Sequence, residues 1–275
     1  MAEISASDVK KLRNITGAGM MDCKKALKET GGDFDAAVEI IRKKGQAVAN
    51  KRADREATEG VVLANTDSDQ TIGVITVLNC ETDFVAKNES FVEVAESIAR
   101  LAVEKNPANL EELKELELEG RKVSEVITDQ VGVIGEKIDV SYYEKIEAPM
   151  VASYIHPGNK LATLVGFSKK ADIKVGKDIA MQVAAMNPVA IDKEGVPQEI
   201  VDKELEIGKD QARQEGKPEN ILEKIAQGKL NKYFKENTLL DQDFTKDSKK
   251  TVRQYLQEFD KDLKVTGFLR YSLTD

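Results

Sequence analysis

The sequence predicts an α+β fold, in which a small three-helix bundle precedes two repeated units, each an antiparallel sheet backed by a helix. Two observations support this class. Amphipathic segments bounded by glycine fill the N-terminal stretch, and from residue 59 onward a pattern of hairpin, helix and strand occurs twice. We therefore expect domains at residues 1–54, 55–147 and 148–275, the last with an inserted helical hairpin at about 197–235.

The composition is that of a globular protein without a membrane-spanning segment. Of its 275 residues 41% are hydrophobic and 33% charged, and no apolar run approaches the roughly 18 residues of a membrane helix. The opening stretch MAEISASDVKKLRNITG contains acidic residues and lacks the apolar core of a signal peptide. We expect a cytoplasmic protein that does not bind membranes.

Residue types that serve catalysis or metal binding are scarce. Cys23 and Cys80 lie far apart and are expected to be reduced thiols, and His156 has no second His or Cys near it in sequence. The adjacent carboxylates Glu111 and Glu112 fall in a stretch typical of a solvated acidic helix. These patterns predict a protein that is not an enzyme and that needs no metal or cofactor.

Charge is distributed unevenly along the chain. Residues 1–52 contain 11 Lys and Arg against 7 Asp and Glu, a net charge of +4, so the remainder carries −12 of a total of −8. The basic stretch has no Trp, no Tyr and a single Phe, whereas nucleic-acid binding usually combines a dense basic face with aromatic stacking. We expect no direct nucleic-acid binding.

Three short helices are predicted in the N-terminal bundle. The first runs from about Ser5, whose hydroxyl can cap it, to Thr16, before a Gly-Ala-Gly break. The second covers about 21–30 and stops at a Gly-Gly pair, and the third starts at Asp33. Residues 46–58 carry few large apolar groups and many charges, which predicts an exposed helical extension or a linker to the body.

The two repeated units show the same order of predicted elements. EGVVLANTDSDQTIGVITVLN and, 89 positions later, APMVASYIHPGNKLATLVGFS each contain two β-rich runs around a polar turn. A helix follows each hairpin and ends at an Asn-Pro pair, at Asn106 in the first unit and at Asn187 in the second. Each unit closes with a third strand, one from Ile138 and the other from Val265.

The second unit is longer than the first by about 45 residues, most of which predict a helical hairpin. A narrow apolar seam with a Gly-Lys-Pro turn in its middle predicts an antiparallel coiled coil. The seam consists of Val201, Leu205, Gly208, Ala212, Leu222, Ile225 and Tyr233. We expect this projecting arm to mediate a protein contact or self-association, with simple packing against the body as the alternative.

Several stretches carry a family resemblance. LRNITGAGMMDCKKAL at 12–27 and NCETDFVAKNESF at 79–91 strongly resemble two signature segments of the bacterial elongation factor Ts family. YIHPGNKLATLV resembles the histidine-bearing hairpin of that family, and VGVIGEKIDV and VTGFLRYSL resemble its two closing strands. The resemblance spans essentially the whole chain. It implies that the bundle is similar to a ubiquitin-associated domain and packs on the GTPase elongation factor Tu.

The resemblance assigns partner binding to Arg13, Met20, Met21 and Lys24 of the bundle. The two methionines begin a helix after a flexible loop and cannot both face inward. At least one of them should therefore offer a soft apolar contact, flanked by the two cations. From the residues alone, an arrangement with both methionines in the core and the two cations on a solvated face is an equally good interpretation.

The segment ETDFVAKN comes directly after the second predicted strand of the first unit. Taken alone, a polar segment interrupted by Phe-Val is usually a loop that tucks one side chain inward. The resemblance implies a different role, in which Thr82, Asp83, Phe84 and Val85 dislocate the magnesium ion of the partner. The Asp-Phe pair would enter the GTPase near that ion, and the Phe84 ring would wedge between the partner's helices.

Three further residues match family positions. Ile134 and Gly135 match a pair beside the Asp-Phe element, although packing at the start of a strand explains them nearly as well. His156 matches a histidine that helps to displace the partner's phosphate loop, although a histidine in a hairpin turn is usually just solvated. Pro157 comes next where we expect glycine in the family, and proline removes a backbone amide donor from the turn.

The resemblance implies a guanine-nucleotide exchange factor for elongation factor Tu in translation elongation. Such a factor binds the GDP-bound and nucleotide-free GTPase, displaces magnesium and the phosphate loop so that GDP leaves, and is then displaced by GTP. The alternative is a ubiquitin-associated-type adaptor whose bundle binds another small domain or a nascent chain. That alternative leaves the repeated body without a role.

Overall fold

The computed structural model describes residues 4–275, beginning with a bundle of three helices. They are α1 (Ala6–Thr16), α2 (Met20–Glu29) and α3 (Phe34–Arg52). The Ser5 hydroxyl accepts a hydrogen bond from the Asp8 amide, and the Asp8 carboxylate accepts one from the Ser5 amide, so α1 starts with a capping box. The helices enclose a small apolar core of Val9, Leu12, Ala18, Cys23, Ala26, Leu27 and Ala37.

The first sheet contains three antiparallel strands with β2 in the centre. The strands are β1 (Glu59–Thr66), β2 (Ile72–Cys80) and β5 (Asp139–Glu147). The elements between β2 and β5 are α4 (Asp83–Ala86), α5 (Glu89–Lys105), α6 (Leu110–Glu115), β3 (Glu117–Leu118), β4 (Arg121–Lys122) and α7 (Val123–Ile134). α5 lays Phe91 and Ile98 against the inner face of this sheet, and both side chains are fully buried.

The second sheet repeats this layout with β7 in the centre. Its strands are β6 (Met150–Ile155), β7 (Leu161–Phe167) and β10 (Val265–Ser272). The elements between β7 and β10 are α8 (Ile173–Met186), a short turn of 3₁₀ helix (Lys193–Gly195), α9 (Gln198–Gln214), α10 (Glu219–Asn237), β8 (Asp243–Phe244), β9 (Asp247–Thr251) and α11 (Val252–Phe259). α8 covers this sheet as α5 covers the first.

The turns of the two long hairpins share their backbone hydrogen bonds. The Asp67 amide donates to the carbonyl oxygen of Ile72 at 3.0 Å, and the His156 amide donates to that of Leu161 at 2.8 Å. Within each turn, a residue three positions after the first has a left-handed backbone. Because the same bonds recur 89 positions apart, the repeated sequence pattern corresponds to a repeated local structure.

The two sheets pack directly against each other. Their shared apolar cluster consists of Val62, Ala64, Ile75, Val77, Val151, Ala162 and Leu164. At Gly73 the sheets are in close contact, since a Cβ there would lie 2.6 Å from Cγ1 of Val151 in the other sheet. The sheets therefore share a buried interface, in the manner of a layered fold.

The helical arm, formed by α9 and α10, has a seam that differs in part from the predicted one. Its fully buried members are Gly208, Ala212, Leu222, Ala226 and Leu230. The remaining predicted members are half-buried, namely Val201, Leu205, Ile225 and Tyr233. A Cβ on Gly208 would lie 3.1 Å from the Cα of Ala226, so the two helices approach through small residues.

The stretch after the bundle is helical to Arg52 and largely exposed, as the sequence predicts, but part of it also packs against the body. α3 continues to Arg52, and Val48 and Ala49 pack against the core of the first sheet. At Gly132 of α7 a Cβ would lie 2.6 Å from the Cα of Gly45 in α3. The backbones of these two helices thus touch without an intervening side chain, which ties the bundle to the body.

Several predicted boundaries need correction. VGVIGEKIDV was matched to a closing strand, but its first residues form the end of α7, and the strand starts at Asp139. The segment after β2 contains the single helical turn α4 where a loop was expected. Two small hairpins, β3-β4 and β8-β9, and the helices after them, α7 and α11, were not predicted.

No helix within residues 4–275 has the length and apolar character needed to cross a membrane. Across that same range, no three His, Cys, Asp or Glu side chains cluster in a way that could hold a metal ion.

Candidate functional site

Phe84 lies on a short exposed turn after β2. We call residues 82–86 the Phe84 turn. Its side chain is 83% exposed, the highest value among the large apolar side chains that face solvent in residues 4–275. Thr82 caps α4 by accepting a hydrogen bond from the Val85 amide, and Asn88 caps α5 soon afterwards. Because two capping residues stand so close together, the chain can form only one helical turn between them.

Glu136 holds the start of the Phe84 turn. Its carboxylate accepts hydrogen bonds from the amides of Glu81 and Thr82, both at 3.0 Å, and from the Thr82 hydroxyl at 2.7 Å. Val85 is half-buried against the core of the first sheet and anchors the other side of the turn. The turn is therefore fixed by polar bonds and by the packing of Val85 and Ala86 on the core, while the ring of Phe84 projects outward.

Glu81 makes the reverse connection. Its carboxylate accepts the Lys137 amide at 2.7 Å and pairs with the Arg52 guanidinium at 2.9 Å. The Lys137 amide, with the charge of Arg52, holds the pKa of Glu81 below its ordinary value. Lys137 also donates its ammonium group to the carbonyl oxygens of Ala53 and Arg55, which connect the bundle to the body.

Asp83 is paired on the surface of the turn. Its carboxylate lies 2.6 Å from the ammonium group of Lys87, one helical turn later. This hydrogen bond and charge lower the pKa of Asp83, with a smaller contribution from the charge of Lys160. Asp83 is therefore ionised at neutral pH and lies where a partner can reach it.

Cys80 lies behind the turn as a buried thiol. Its sulfur donates to the carbonyl oxygen of Thr82 at 3.2 Å. Burial, reinforced by the nearby charge of Glu136, raises the pKa of Cys80 to about 12. The thiol stays protonated at neutral pH, and its role is to brace the turn.

Ile134 and Gly135 lie beside the Phe84 turn at the end of α7. Ile134 is the last residue of α7 and does not start a strand, but it is half-buried and packs against the core of the first sheet, as the packing alternative expects. Gly135 caps the helix with φ 79°, and its amide donates to the carbonyl oxygen of Val131 at 2.8 Å. This left-handed residue directs the chain so that the next residue, Glu136, reaches the turn.

The bundle presents an apolar surface at the start of α2. Met20 is 45% and Met21 76% exposed, and Ile15 of α1 is exposed as well. Ile15 was not predicted, because it lies three residues after the buried Leu12 and helical periodicity would place it in the core. We call Ile15, Met20 and Met21 the bundle patch. It is an apolar surface that nothing in residues 4–275 covers.

Two cations stand on the same helices as the bundle patch. Arg13 and Lys24 are exposed, and neither forms an ion pair with another residue between 4 and 275. Asp22, in contrast, is paired with Lys44 of α3. The cations are thus available to an acidic partner surface.

The end of α7 connects the bundle with the Phe84 turn. A Cβ on Gly17, at the end of α1, would lie 3.4 Å from a methyl group of Val133. Three residues later, Glu136 binds the Phe84 turn. A continuous series of contacts therefore runs from the loop before Met20, along the end of α7, to Phe84.

His156 lies in the turn of the second long hairpin, and its neighbours Asn159 and Lys160 contact the first sheet. It is exposed, with its Nδ1 atom 3.1 Å from the hydroxyl of Tyr154. The carbonyl oxygen of Asn159 accepts from the Val62 amide at 2.7 Å, and Lys160 pairs with Glu59 at 2.8 Å. The hairpin turn therefore docks on β1, on the side from which Lys160 acts on Asp83.

Comparisons with known proteins agree over nearly the whole length. A family model described as Elongation factor TS matches residues 81–275. A protein named Elongation factor Ts from Christiangramia forsetii is 53% identical over 275 residues, covering 99% of this chain and 100% of its own. One of that name from Porphyromonas gingivalis is 54% identical, with 98% of each chain covered. Another, from Chloroherpeton thalassium, is 48% identical, with 99% of each covered.

Proposed function

The chain belongs to the elongation factor Ts family, and on that premise we propose that it is a guanine-nucleotide exchange factor for elongation factor Tu. The observation that carries the proposal is the Phe84 ring, 83% exposed on a turn held by hydrogen bonds. An exposed aromatic ring on a loosely held loop would lose entropy on binding, whereas this turn is already ordered. Its place of action is the cytoplasm, where translation takes place.

In the proposed mechanism Thr82, Asp83, Phe84 and Val85 dislocate the magnesium ion of the partner. The ring enters between partner helices, and the charged Asp83 approaches the metal site. Burying one Phe yields roughly 1.5–3 kcal/mol. Inverting a 99:1 preference between two states requires about 5.5 kcal/mol. A wedge alone is therefore too weak, and other contacts must supply the difference.

Two further surfaces supply those contacts. The bundle patch with Arg13 and Lys24 packs on the GTPase, and Ile134 and Gly135 support the Phe84 turn from behind. His156, at the tip of the second hairpin, acts on the partner's phosphate loop. The Phe84 turn, the bundle patch and the hairpin turn with His156 are connected through the end of α7 and through the contact of Lys160 with Glu59.

Coupling between the factor and the nucleotide is reciprocal. Binding of the exchange factor lowers the affinity of the GTPase for the nucleotide by some factor. Binding of the nucleotide must then lower the affinity of the GTPase for the exchange factor by the same factor. GTP binding therefore ejects the factor. No covalent step is needed, and the factor acts without being an enzyme in the chemical sense.

The helical arm extends the proposal. Ile207 and Ile221 are exposed apolar side chains on α9 and α10. We place a protein contact here, with a second copy of this chain as the partner. Light scattering of the wild type and of Ile207→Ser tests self-association, because a dimer formed through the arm should dissociate in the variant.

Release of fluorescent GDP from elongation factor Tu tests the main proposal. The wild type should accelerate release, and Phe84→Ala should lose about tenfold or more of that acceleration, since the ring's burial is lost. Phe259→Ala is the matched control, because Phe259 is also exposed but lies on α11 of the second unit. An unchanged release rate with wild-type protein would sink the proposal.

The same measurement separates the alternative. A ubiquitin-associated-type adaptor would bind through the bundle patch alone, so Phe84→Ala would behave like wild type while Met21→Ala would abolish binding. In the exchange factor, both substitutions weaken the effect on release, and Phe84→Ala weakens it more.

A further inference from the structure

Two carboxylates make reciprocal connections between the segment after β2 and the segment after α7. Glu81 accepts the amide of Lys137 at 2.7 Å, and Glu136 accepts the amides of Glu81 and Thr82 at 3.0 Å. Each carboxylate thus binds the backbone beside the other. We call Glu81 and Glu136 the carboxylate pair. Hydrogen bonds from amides to a carboxylate are shorter and stronger than bonds between neutral groups.

Apart from Val85 and Ala86, which pack on the core of the first sheet, and the Cys80 thiol, which donates to the Thr82 carbonyl oxygen, the Phe84 turn depends on its own short helix and on Glu136. α4 consists of four residues, far fewer than a helix needs to be stable alone. The capping bond from the Val85 amide to the Thr82 hydroxyl is long, at 3.4 Å. The same hydroxyl donates to Glu136 at 2.7 Å, so the capping group is itself oriented by the carboxylate pair. Without Glu136, the direction of the Phe84 ring would be poorly defined.

The carboxylate pair also connects the turn with the bundle. Arg52 is the last residue of α3, and its guanidinium contacts both carboxylate oxygens of Glu81 at 2.9 and 3.0 Å. Both contacts are made by one nitrogen, Nη1, so this ion pair fixes the distance between the end of α3 and Glu81. The end of the bundle and the Phe84 turn are therefore held in one arrangement by side chains between them.

We propose that Glu136 and Glu81 are positioning residues for nucleotide exchange, which aim the Phe84 ring and fix it relative to the bundle. The proposal rests on the exchange function proposed above. The ring and the bundle patch must meet one partner at the same time, and a misdirected ring loses its contribution even when every other contact is made. The carboxylate pair acts only through Phe84 and does not touch the nucleotide.

A double-mutant cycle with Phe84 tests this role. Release of fluorescent GDP from elongation factor Tu is measured at saturating factor for wild type, Glu136→Ala, Phe84→Ala and the double variant. We expect Glu136→Ala to slow release by about tenfold in the wild-type background and by less than about twofold in the Phe84→Ala background. Glu93→Ala, an exposed carboxylate on α5 without an ion pair in residues 4–275, should have no effect.

Each other outcome has a defined meaning. Equal slowing by Glu136→Ala in both backgrounds means that Glu136 acts independently of the ring, and this overturns the inference while leaving the exchange function intact. If Glu136→Ala leaves the rate of GDP release unchanged, the inference is also overturned. If the Phe84→Ala variant accelerates GDP release from elongation factor Tu as much as wild type does, both the inference and the proposed mechanism fail.

A conservative variant guards against a folding defect. Glu136→Gln keeps a carbonyl oxygen that can accept the amides of Glu81 and Thr82 but removes the charge. It should retain more exchange activity than Glu136→Ala, with a melting temperature close to wild type. If Glu136→Ala does not fold, the cycle is run with Glu136→Gln, and additivity with Phe84→Ala overturns the inference in the same way.

Discussion

The two repeated units carry the same hairpin turn and differ in the connection from the second strand to the covering helix. In the first unit, residues 81–88 separate β2 from α5 and contain the Phe84 turn. In the second unit, residues 168–172 lead from β7 directly into α8 without a helical turn. The additional turn is thus an insertion into a repeated scaffold. The sheet does not need the exposed Phe84 side chain for its own packing, and this favours a role of Phe84 in binding.

The units also differ between the covering helix and the closing strand. The first unit has α6, the β3-β4 hairpin and α7, and the second has the helical arm, the β8-β9 hairpin and α11. α7 and α11 occupy the same place in the order. α11 packs inward, where Tyr255 donates to the buried Asp178 at 2.7 Å, whereas the end of α7 contacts the bundle and the Phe84 turn. Both helices support the core of their own unit, since Val123, Ile127 and Val131 of α7 are buried in the first, and the end of α7 in addition holds the Phe84 turn.

The largest effects are expected in the two cores, where each unit buries a phenylalanine, on α5 in the first and on β7 in the second. Phe91 and Phe167 are fully buried, each in the core of its own sheet. Replacing either by Ala should lower the free energy of unfolding by about 3–5 kcal/mol, because a large cavity remains. Urea denaturation followed by circular dichroism measures both.

The same experiment tests the predicted division at residue 148. Because the two sheets share a buried cluster, we expect both variants to shift a single transition. Two resolved transitions, of which Phe91→Ala moves only one, would show instead that the two units unfold separately.

Substitutions at two helical glycines, one in each unit, should change the stability of the protein by a smaller amount. Gly132→Ala should destabilise the protein by about 1–3 kcal/mol, because the new Cβ has no space beside α3. Gly228 of α10 has open space around it, so Gly228→Ala should stabilise the arm by up to about 1 kcal/mol. Thermal melting compares the two. Equal melting temperatures would contradict the close contact between α3 and α7.

The smallest effect concerns pH and the carboxylate pair, which only the first unit has. Since the folded pKa of Glu81 is lowered, its stabilisation is complete above the ordinary glutamate value of about 4.3 and is lost as the pH falls through the lowered value. Wild type should exceed Glu81→Gln in unfolding free energy by about 1 kcal/mol at neutral pH. Denaturation at acidic pH should show this difference shrinking, and a constant difference would contradict the assignment.

Much of the fold can be predicted from local sequence signals. The long hairpins, α5, α8 and the arm are marked by alternating apolar residues, glycine turns and Asn-Pro stops, and the structure has them within a few residues of the prediction. α7 was missed because VGVI at its end is as apolar and β-branched as a strand. The small hairpins have strands of two residues, as in β3 and β4, which are too short to show a period.

The candidate site was only partly predictable. Phe84 and the methionines could be singled out because an apolar side chain in a polar or flexible segment is unusual. Glu136 and Arg52 could not, because their contacts with Thr82 and Glu81 cross 54 and 29 positions and leave no local pattern. The roles of these residues in exchange, like the domain boundaries, remain predictions for experiment to decide.

The two buried cysteines have a practical consequence. Cys23 is enclosed in the bundle core, and the thiol of Cys80 is both buried and held protonated. Maleimide dyes react with accessible thiolates, so neither native cysteine should compete for label. A single substitution such as Lys217→Cys, in the exposed turn of the arm, should therefore give one fluorophore per molecule without removing any native residue from the core. Distances from that fluorophore to a labelled GTPase could then follow the approach of the two proteins in real time.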